Sequence, residues 1–165
     1  MANFLIRAIQ KRDKTEDFDC GHQALNAFLK KTASQYHKKG YARIRVMVDK
    51  NDTVFAYNTL SSAQIVSAEL SNVVVRQLPR HPMPVLLIGR LAVCRSQQGK
   101  GFGEEMLMDA LKRSVETADT IGVFGVVVDP ISNAAERFYA RYGFQVCKNT
   151  PKRMFISVKT LKQLF

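Results

Sequence analysis

The spacing of apolar residues predicts an alternation of strands and helices along the chain. A short apolar run at residues 4–9 is typical of a strand, and a charged linker follows it at residues 11–19. Apolar residues then recur three and four positions apart from Leu25 to Tyr36, which predicts one amphipathic helix that ends at Gly40. The other side of this helix carries the lysines Lys30, Lys31, Lys38 and Lys39. Simple solvation and a binding role both remain open for that side.

A hairpin of two strands is predicted after this helix. Residues 43–49 alternate between apolar and mostly basic positions, which predicts a strand that is buried on one face only. Residues 50–52 form the predicted turn, and residues 53–62 form the returning strand. Residues 63–84 contain a Val-Val-Val run and three prolines. We interpret them as a partly irregular insertion.

A strand, a helix and another strand follow the insertion. Residues 85–94 are apolar on both faces apart from Arg90, which is typical of a strand covered on both sides. The spacing predicts a helix over residues 103–118 and a short strand rich in valine over residues 123–128. Two buried strands separated by one helix predict a right-handed parallel crossover.

One more helix is predicted after this crossover. Asp129 and the proline that follows it end the preceding strand, and either Ser132 or Asn133 is expected to cap the helix. Glu136 stands three residues after Asn133, as in a capping box. Gly143 is expected to end the helix.

The remaining residues predict two short strands and a terminal element. The strands are expected at residues 144–147 and 154–158 around a turn at 149–151, and residues 159–165 are expected to be a short helix or a tail. Together the elements predict an α/β fold (α+β in some schemes) with a mixed central sheet of about six to seven strands and flanking helices. The chain of 165 residues is expected to be one domain over residues 1–165.

The chain carries a large positive net charge, which the hydrophobic pattern does not reveal. The chain has 25 Lys and Arg against 14 Asp and Glu, a formal net charge of +11. Such an excess favours a polyanionic partner, for example nucleic acid, an acidic protein tail or an anionic ligand. A generally solvated basic surface is the alternative.

The cysteines and the apolar runs bear on the cellular compartment. The three cysteines are widely spaced and form no C-x-x-C motif, which argues against a disulfide framework or a zinc site. No apolar run reaches membrane-spanning length and no secretory signal peptide is recognised, so no membrane association is expected. We therefore expect a protein of the reducing cytoplasm without a metal site.

A glycine-rich loop, Gln-Gly-Lys-Gly-Phe-Gly at residues 98–103, stands between a predicted strand and a predicted helix. Its three glycines leave backbone N–H groups unshielded, and the following helix directs the positive end of its dipole toward them. This arrangement predicts an anion site, most naturally for a pyrophosphate. The spacing matches neither the Rossmann fingerprint nor the Walker loop. Taken alone, the loop is equally well interpreted as a plain turn.

Two motifs together resemble one family. The Q-x-x-G-x-G loop at residues 98–103 resembles the coenzyme A pyrophosphate loop of the GNAT superfamily of N-acetyltransferases, and residues 133–144 (NAAERFYARYGF) resemble the segment that closes its acetyl-CoA site. A narrower resemblance is to the GNAT toxins of bacterial type II toxin–antitoxin modules. It is carried by residues 18–33 (FDCGHQALNAFLKKTA), by residues 89–93 (GRLAV), by the basic charge and by the short final strands.

The resemblance implies a GNAT fold with a splayed central strand, and acetyl-CoA as the cosubstrate. It implies that the edge of the central strand holds the pantetheine arm and that the loop binds the pyrophosphate. The matching cofactor-binding residues are Leu91, Ala92, Val93, Gln98, Gly99, Lys100, Gly101, Phe102, Gly103 and Asn133. Asn133 is expected to contact the cofactor, to cap its helix, or to do both. A backbone N–H near Val93 is the expected donor to the oxyanion.

Tyr139 matches the tyrosine that the family uses to protonate the leaving thiolate. From its position on the apolar face of a helix alone, core packing would be the better interpretation. Tyr142 is the rival candidate, although its place beside the helix end suits packing. No general base is evident, and the acidic candidates are Glu104, Glu105 and Asp129.

For this toxin family, the resemblance further implies a substrate and a partner. Its characterised members acetylate the α-amine of aminoacyl-tRNA, which blocks translation, and they pair with antitoxins that contain a ribbon–helix–helix DNA-binding part. The resemblance also leaves room for a homodimer. An α-amine, with a pKa of roughly 8, needs less help from a base than a lysine amine does. The alternatives are acetylation of a protein N-terminus or a small amine, and a non-enzymatic basic RNA-binding module.

If the acceptor is tRNA, basic side chains should contact its phosphates. The candidates are Lys30, Lys31, Lys38, Lys39, Arg76, Arg90, Arg95, Arg137, Arg141 and Arg153.

Overall fold

The computed structural model describes residues 3–70, 81–148 and 152–165. Within these ranges the chain forms seven strands: β1 (Leu5–Ala8), β2 (Arg43–Val48), β3 (Val54–Ile65), β4 (Met83–Val93), β5 (Gly125–Val128), β6 (Gln145–Val146) and β7 (Met154–Ser157). Its α-helices in the same ranges are α1 (Gln23–Lys31), α2 (Ala33–Lys39), α3 (Phe102–Ala118), α4 (Asn133–Arg141) and α5 (Val158–Leu161). None of the helices in the described ranges is long and apolar enough to cross a membrane.

The strands form a mixed sheet in the order β1-β2-β3-β4-β5-β7-β6. β4 and β5 are parallel, while the pairs β1–β2, β2–β3, β5–β7 and β6–β7 are antiparallel. The predicted mixed sheet and the predicted parallel pairing around one helix are therefore confirmed. The chain divides into two compact units, the first made of Met1–Ser61 with Gly89–Ala110 and the second of Ser62–Ile88 with Leu111–Phe165.

In the first unit, β2 is buried on both faces. Ile44 and Val46 belong to a cluster that contains Phe28 of α1, whereas Met47 belongs to a second cluster with Met106 of α3. The predicted burial on one face only was therefore wrong. Met47 stands at a position that alternates with arginines, so its partner on α3 could not be inferred from the strand pattern.

The first helical segment is divided in two. Thr32, with φ −125° and ψ −32°, interrupts the helix between α1 and α2, so the prediction of one continuous helix was wrong. The predicted stop is confirmed, because Gly40 ends α2 in the left-handed conformation at φ 77°. Ala33 is fully buried directly after the break, and the backbone N–H of Thr32 still donates to Phe28.

A polar network connects the strands of the first unit to α3. The Arg45 guanidinium donates to both carboxylate oxygens of Asp109, at 2.8 and 3.3 Å. The fully buried amide of Asn58 donates to the Met106 carbonyl at 2.9 Å and to Asp109 at 3.1 Å. These bonds satisfy the donors that burial would otherwise leave unpaired, and they fix the beginning of α3 against β2 and β3.

The second unit is organised around β5, which is fully buried between β4 and β7. Gly125 at its start pairs with Ser157 in the antiparallel ladder. A Cβ atom at Gly125 would lie 2.5 Å from the Ile156 carbonyl oxygen, so the close approach of β7 requires glycine here.

The insertion predicted at residues 63–84 is shorter in the structure. β3 continues to Ile65 and β4 begins at Met83, with a 3-10 turn at Ser67–Glu69. The Val-Val-Val run lies outside the described residues, as does the turn predicted at 149–151.

Candidate active site

The end of β4 extends beyond its neighbour β5. The parallel register runs from Val85–Gly125 to Ile88–Val128, and β4 then continues to Val93. Successive side chains of this extension lie on opposite faces of the strand. Leu91 and Val93 pack in the cluster that contains Met106, while Ala92 packs in the cluster that contains Phe28.

A glutamine side chain holds the loop to the end of β4. The chain leaves Val93, forms a 3-10 turn at Arg95–Gln97 and reaches Gln98. The Gln98 side-chain amide donates to the backbone carbonyl of Val93 at 2.8 Å and to that of Cys20 at 3.1 Å. Both contacts are to this chain's own backbone, so Gln98 fixes the shape of the loop.

Two glycines of the loop have left-handed conformations. Gly99 has φ 76° and Gly101 has φ 87°, which other residues adopt only with strain. Among the described residues, no atom would lie within 4 Å of a Cβ built at either position. The backbone of the loop is therefore open to close approach by a ligand.

Within the part of the chain that the structure describes, the start of the helix α3 leaves backbone donors without a hydrogen-bond partner. Its first residue is Phe102, and the Glu105 N–H donates to the Gly101 carbonyl at 3.1 Å. The N–H groups of the three preceding residues, Phe102, Gly103 and Glu104, therefore have no acceptor within the helix. The Phe102 ring is held edge-on against Phe4, with 4.9 Å between centroids. Donors and helix dipole together form the geometry of an anion site.

Charges around the loop have both signs. The Lys100 ammonium donates to the side-chain carbonyl of Gln97 at 3.3 Å. Glu104 and Glu105 are exposed in the first turn of α3, where carboxylates stabilise the helix dipole. A bound anion would have to compete with these two carboxylates, and Lys100 supplies the compensating charge within the loop.

Cys94 is a feature of this region that the sequence pattern did not single out. Its backbone N–H donates to the Phe55 carbonyl at 2.7 Å, and the Ser96 hydroxyl lies 3.6 Å from its sulfur. Burial alone would raise the pKa of the Cys94 thiol. Hydrogen bonds that involve the backbone of Asp19 and both the side chain and the backbone of Ser96 outweigh this effect, so the pKa of the thiol lies below the ordinary value. This environment depends on contacts between segments far apart in sequence, so the wide cysteine spacing gave no indication of it.

Tyr139 lies buried on α4 with 7% of its surface exposed. Its ring contacts Phe138 and Phe144, with centroid distances of 5.3 and 5.5 Å. Burial raises the pKa of its hydroxyl group, which therefore remains protonated at neutral pH. Among the described residues, none forms a hydrogen bond with that hydroxyl group. Tyr142 is less buried and packs against Phe138 at 5.2 Å, where it terminates the helix.

The helix that carries Tyr139 is capped by Ser132. The Ser132 side chain accepts from the Ala135 N–H at 3.1 Å, so Asn133 is the first residue of the helix and not its cap. The alternative in which Asn133 caps, with Glu136 completing a capping box, was therefore wrong. Asn133 is exposed at the start of α4.

The predicted site residues lie in two groups. Leu91, Ala92, Val93 and the loop residues 98–103 are adjacent in the first unit, while Asn133 and Tyr139 share α4 in the second unit. Of the acidic candidates for a base, Asp129 accepts two hydrogen bonds from Arg153, at 2.8 and 3.0 Å.

The basic residues predicted to contact phosphate differ in their surroundings. Arg153 is paired with Asp129, and Arg95 lies 3.8 Å from Asp19. Arg90 is half-buried, with its guanidinium carbon 3.6 Å from the centroid of the Phe28 ring. The exposed candidates are Lys30, Lys31, Lys38, Lys39, Arg137 and Arg141. Arg76 lies outside the described residues.

Comparison with known proteins identifies the family. The model of the acetyltransferase (GNAT) domain matches residues 16–162. A curated relative from Mycobacterium tuberculosis (strain ATCC 25618 / H37Rv), named tRNA-acetylating toxin, is 32% identical over 158 residues, which cover 96% of this chain and 94% of the relative.

Solved structures have the same fold over nearly the whole chain. A mutant of KacT superposes with a TM-score of 0.94 at 27% identity, covering 98% of this chain and 99% of that one. AtaT complexed with acetyl-methionyl-tRNAfMet gives 0.93 at 25% identity and 99% coverage of both chains. AtaTR bound with acetyl-CoA gives 0.87 at 26% identity and 98% coverage of both. The chain therefore belongs to the GNAT acetyltransferase family.

Proposed function

We propose that this protein is the toxin of a type II toxin–antitoxin module, and that it transfers an acetyl group from acetyl-CoA to the α-amine of aminoacyl-tRNA and so blocks translation. The observation that carries this proposal is the 32% identity to a tRNA-acetylating toxin over 96% of the chain. The likeness to AtaT, solved with acetyl-methionyl-tRNAfMet, supports the same acceptor.

The whole chain, residues 1–165, acts as one acetyltransferase domain. In support, a single family model matches residues 16–162, a range that includes most of both compact units. β3, β4 and α3 also each contribute residues to both units.

Acetyl-CoA binds at the end of β4 and at the loop that follows. The open backbone at Gly99 and Gly101 and the N–H groups at the start of α3 receive the pyrophosphate, with Lys100 as a positive charge beside them. The extension of β4 at Leu91, Ala92 and Val93, beyond the pairing with β5, offers backbone groups to the amides of the pantetheine arm. Phe102 and Gly103 provide the first helical N–H groups, Gln98 holds the loop in place, and Asn133 contacts the cofactor from the start of α4.

The chemical step is attack of the neutral amine nitrogen on the thioester carbonyl carbon. The C=O π electrons move to the oxygen, which a backbone N–H near Val93 stabilises as the oxyanion. Collapse reforms the carbonyl and breaks the C–S bond, and Tyr139 gives its proton to the departing sulfur. The Tyr139 hydroxyl carries its proton at neutral pH, and it has no hydrogen-bond partner among the described residues, which suits a proton donor that becomes engaged when substrate binds.

The amine needs no strong base from the protein. An α-amine has a pKa of roughly 8, and esterification of the carboxylate lowers it further, so a useful neutral fraction exists at cellular pH. Glu104 and Glu105 are exposed at the start of α3, and Asp129 is paired with Arg153, so none has the buried environment of a tuned base. Water carries the amine proton away after attack, and the Tyr139 phenolate regains a proton from solvent, so that the enzyme returns to its starting protonation state.

The partners follow from the same family. The protein acts on aminoacyl-tRNA in the cytoplasm, where charged tRNA is available, and a ribbon–helix–helix antitoxin neutralises it by wrapping it with a tail. Assembly as a homodimer is part of this proposal.

One assay tests the function directly. Purified protein is incubated with labelled acetyl-CoA and bulk tRNA charged with a mixture of amino acids, and free thiol and acetylated aminoacyl-tRNA are both measured. Acetyl transfer to charged but not to deacylated tRNA is the expected result. Transfer only to peptides or polyamines would indicate a different acceptor, and tRNA binding without thiol release would indicate a non-enzymatic RNA-binding protein.

A further inference from the structure

Arg90 has an unusual environment for an arginine on a central strand. It is the only charged residue in β4, and it lies in the extension of that strand beyond the pairing with β5. It is half-buried, and in the described part of the chain no carboxylate forms an ion pair with it. A partly desolvated charge without a carboxylate partner is costly unless another group or a ligand compensates it.

The Phe28 ring compensates part of that cost and also fixes the direction of the side chain. The guanidinium carbon of Arg90 stands 3.6 Å from the ring centroid, a close cation–π contact. The ring itself is held by Tyr36 edge-on at 5.3 Å and by Tyr57 in a stacked arrangement at 6.2 Å. Arg90 is thus preorganised on a rigid aromatic support, and the ring accepts none of its N–H hydrogen bonds.

The position of Arg90 relates it to the predicted transfer site. It immediately precedes Leu91, and its side chain shares a strand face with Ala92, which packs in the same cluster as Phe28. In aminoacyl-tRNA, one ribose separates the aminoacyl ester from the last phosphodiester. If the amine lies at the end of β4, this phosphodiester is therefore close to it, at a distance that a few residues of the strand would span.

We propose that Arg90 is a positioning residue that binds the last phosphodiester of the acceptor, between the final two nucleotides of aminoacyl-tRNA. The inference rests on the proposed function, since it requires a tRNA acceptor. The planar guanidinium matches a phosphate with paired N–H donors, which an ammonium group cannot reproduce. The contact orients the 3′ end and does not take part in bond making.

The test uses one pool of acceptor with and without that phosphate. Bulk tRNA charged with a mixture of amino acids is assayed intact, and a portion is digested with a ribonuclease that cleaves after pyrimidines. The digestion leaves aminoacyl-adenosine without a phosphate. Arg90→Met removes the charge and retains an apolar chain over Phe28, and Arg90→Lys retains the charge without the planar donors. Arg12→Ala is the matched control, because it also removes one arginine charge, from an exposed side chain paired with Asp52.

With intact charged tRNA, Arg90→Met should lower kcat/KM at least tenfold, mostly through KM, and Arg90→Lys should recover only part of it. With aminoacyl-adenosine both variants should stay within twofold of the wild type, as should acetyl-CoA affinity. For tRNA binding, the slope of log K against log salt should become shallower by about 0.7, the contribution of one single-strand phosphate contact. Arg12→Ala should change none of these values.

Each contrary result has a distinct meaning. Wild-type activity on tRNA with no loss in Arg90→Met would overturn the role of Arg90 and leave the proposed function intact. Equal losses on tRNA and on aminoacyl-adenosine would show that Arg90 only supports the fold, which also overturns the role. Absence of wild-type activity on every charged tRNA would reject the proposed function, and the inference with it.

Discussion

Removal of one oxygen atom from Tyr139 tests the proposed chemistry most sharply. In Tyr139→Phe the ring contacts with Phe138 and Phe144, at 5.3 and 5.5 Å, are retained. No hydrogen bond of the described residues to the hydroxyl group is lost, so the free energy of unfolding should change by less than about 1 kcal/mol. A loss of activity in this variant could not then be attributed to unfolding.

The expected loss of turnover is large. A positioned general acid contributes roughly a hundredfold or more, and a hundredfold loss corresponds to about 2.7 kcal/mol of activation free energy. Acetyl-CoA affinity should stay within about twofold, because the proton is needed only as the thiolate departs. Single-turnover acetylation of charged tRNA measures the chemical step, and calorimetry measures acetyl-CoA binding.

A matched control is available one turn of the helix away. Tyr142→Phe removes the same oxygen from a less buried ring that packs against Phe138, and it should remain active. In cells, Tyr139→Phe should no longer inhibit growth but should still bind its antitoxin. Full activity in Tyr139→Phe would refute the acid role, and activity lost only in Tyr142→Phe would transfer that role to the neighbouring tyrosine.

Three further predictions concern the loop, the sheet and the buried tyrosines. Gly101→Asp should weaken acetyl-CoA binding more than tenfold, which is over 1.4 kcal/mol by calorimetry. Gly101→Asn is the uncharged control, because asparagine tolerates the positive φ, and it should lose less affinity. Equal losses of affinity in both variants would exclude charge as the cause. Gly125→Ala should lower the free energy of unfolding, measured in urea, by at least about 1–3 kcal/mol, because its Cβ would lie 2.5 Å from a carbonyl oxygen of β7. Gly122→Ala is the control and should be nearly neutral, because no atom would lie within 4 Å of its Cβ. Burial raises the pKa of Tyr57 and Tyr139 above the ordinary value near 10, so the folded state retains their protons longer. Stability should therefore be complete below about pH 10 and decline above it; a constant urea midpoint from pH 9 to pH 11 would contradict this.

The fold was predictable where local sequence determines an element or the order of elements restricts how they pair. The stop at Gly40 follows from glycine itself, and the parallel pair β4–β5 follows from two buried apolar runs joined by one helix. The burial of Met47 was not predictable, because it involves packing against α3, which is distant in sequence. The break at Thr32 was not predictable either, because the apolar spacing continues through it to Ala33, which packs in a core cluster. Periodicity describes which side of an element is apolar, but it does not say whether a second layer covers the other side.

The candidate site divides in the same way. The spacing of residues 98–103 predicted the loop, and the structure adds the open glycine backbone and the start of α3 at Phe102. The second bond of Gln98, to the Cys20 carbonyl, joins residues 78 positions apart, which a motif cannot indicate. The cation–π contact between Arg90 and Phe28 could not be predicted from the sequence either. The sequence did show Arg90 as a single charge in an otherwise apolar strand, but it did not indicate which residue Arg90 contacts.

The distribution of charge favours a polyanion over simple solvation for the surface of α1 and α2. Several carboxylates are already used within the first unit: Asp13 and Asp52 bind Arg7, and Asp109 binds Arg45. Residues 23–39 contain no acidic residue at all, although a solvated helix surface usually mixes both signs in pairs three or four positions apart. The helix dipole accounts for basic residues in the last turns of α1 and α2, since it stabilises each by about 0.3–1 kcal/mol. It does not account for the absence of acidic residues from the segment itself, where the only electrostatic compensation of the lysines that the described residues show is that of Asp19 on Lys30. The phosphates of a polyanion would reduce the repulsion that remains among the lysines.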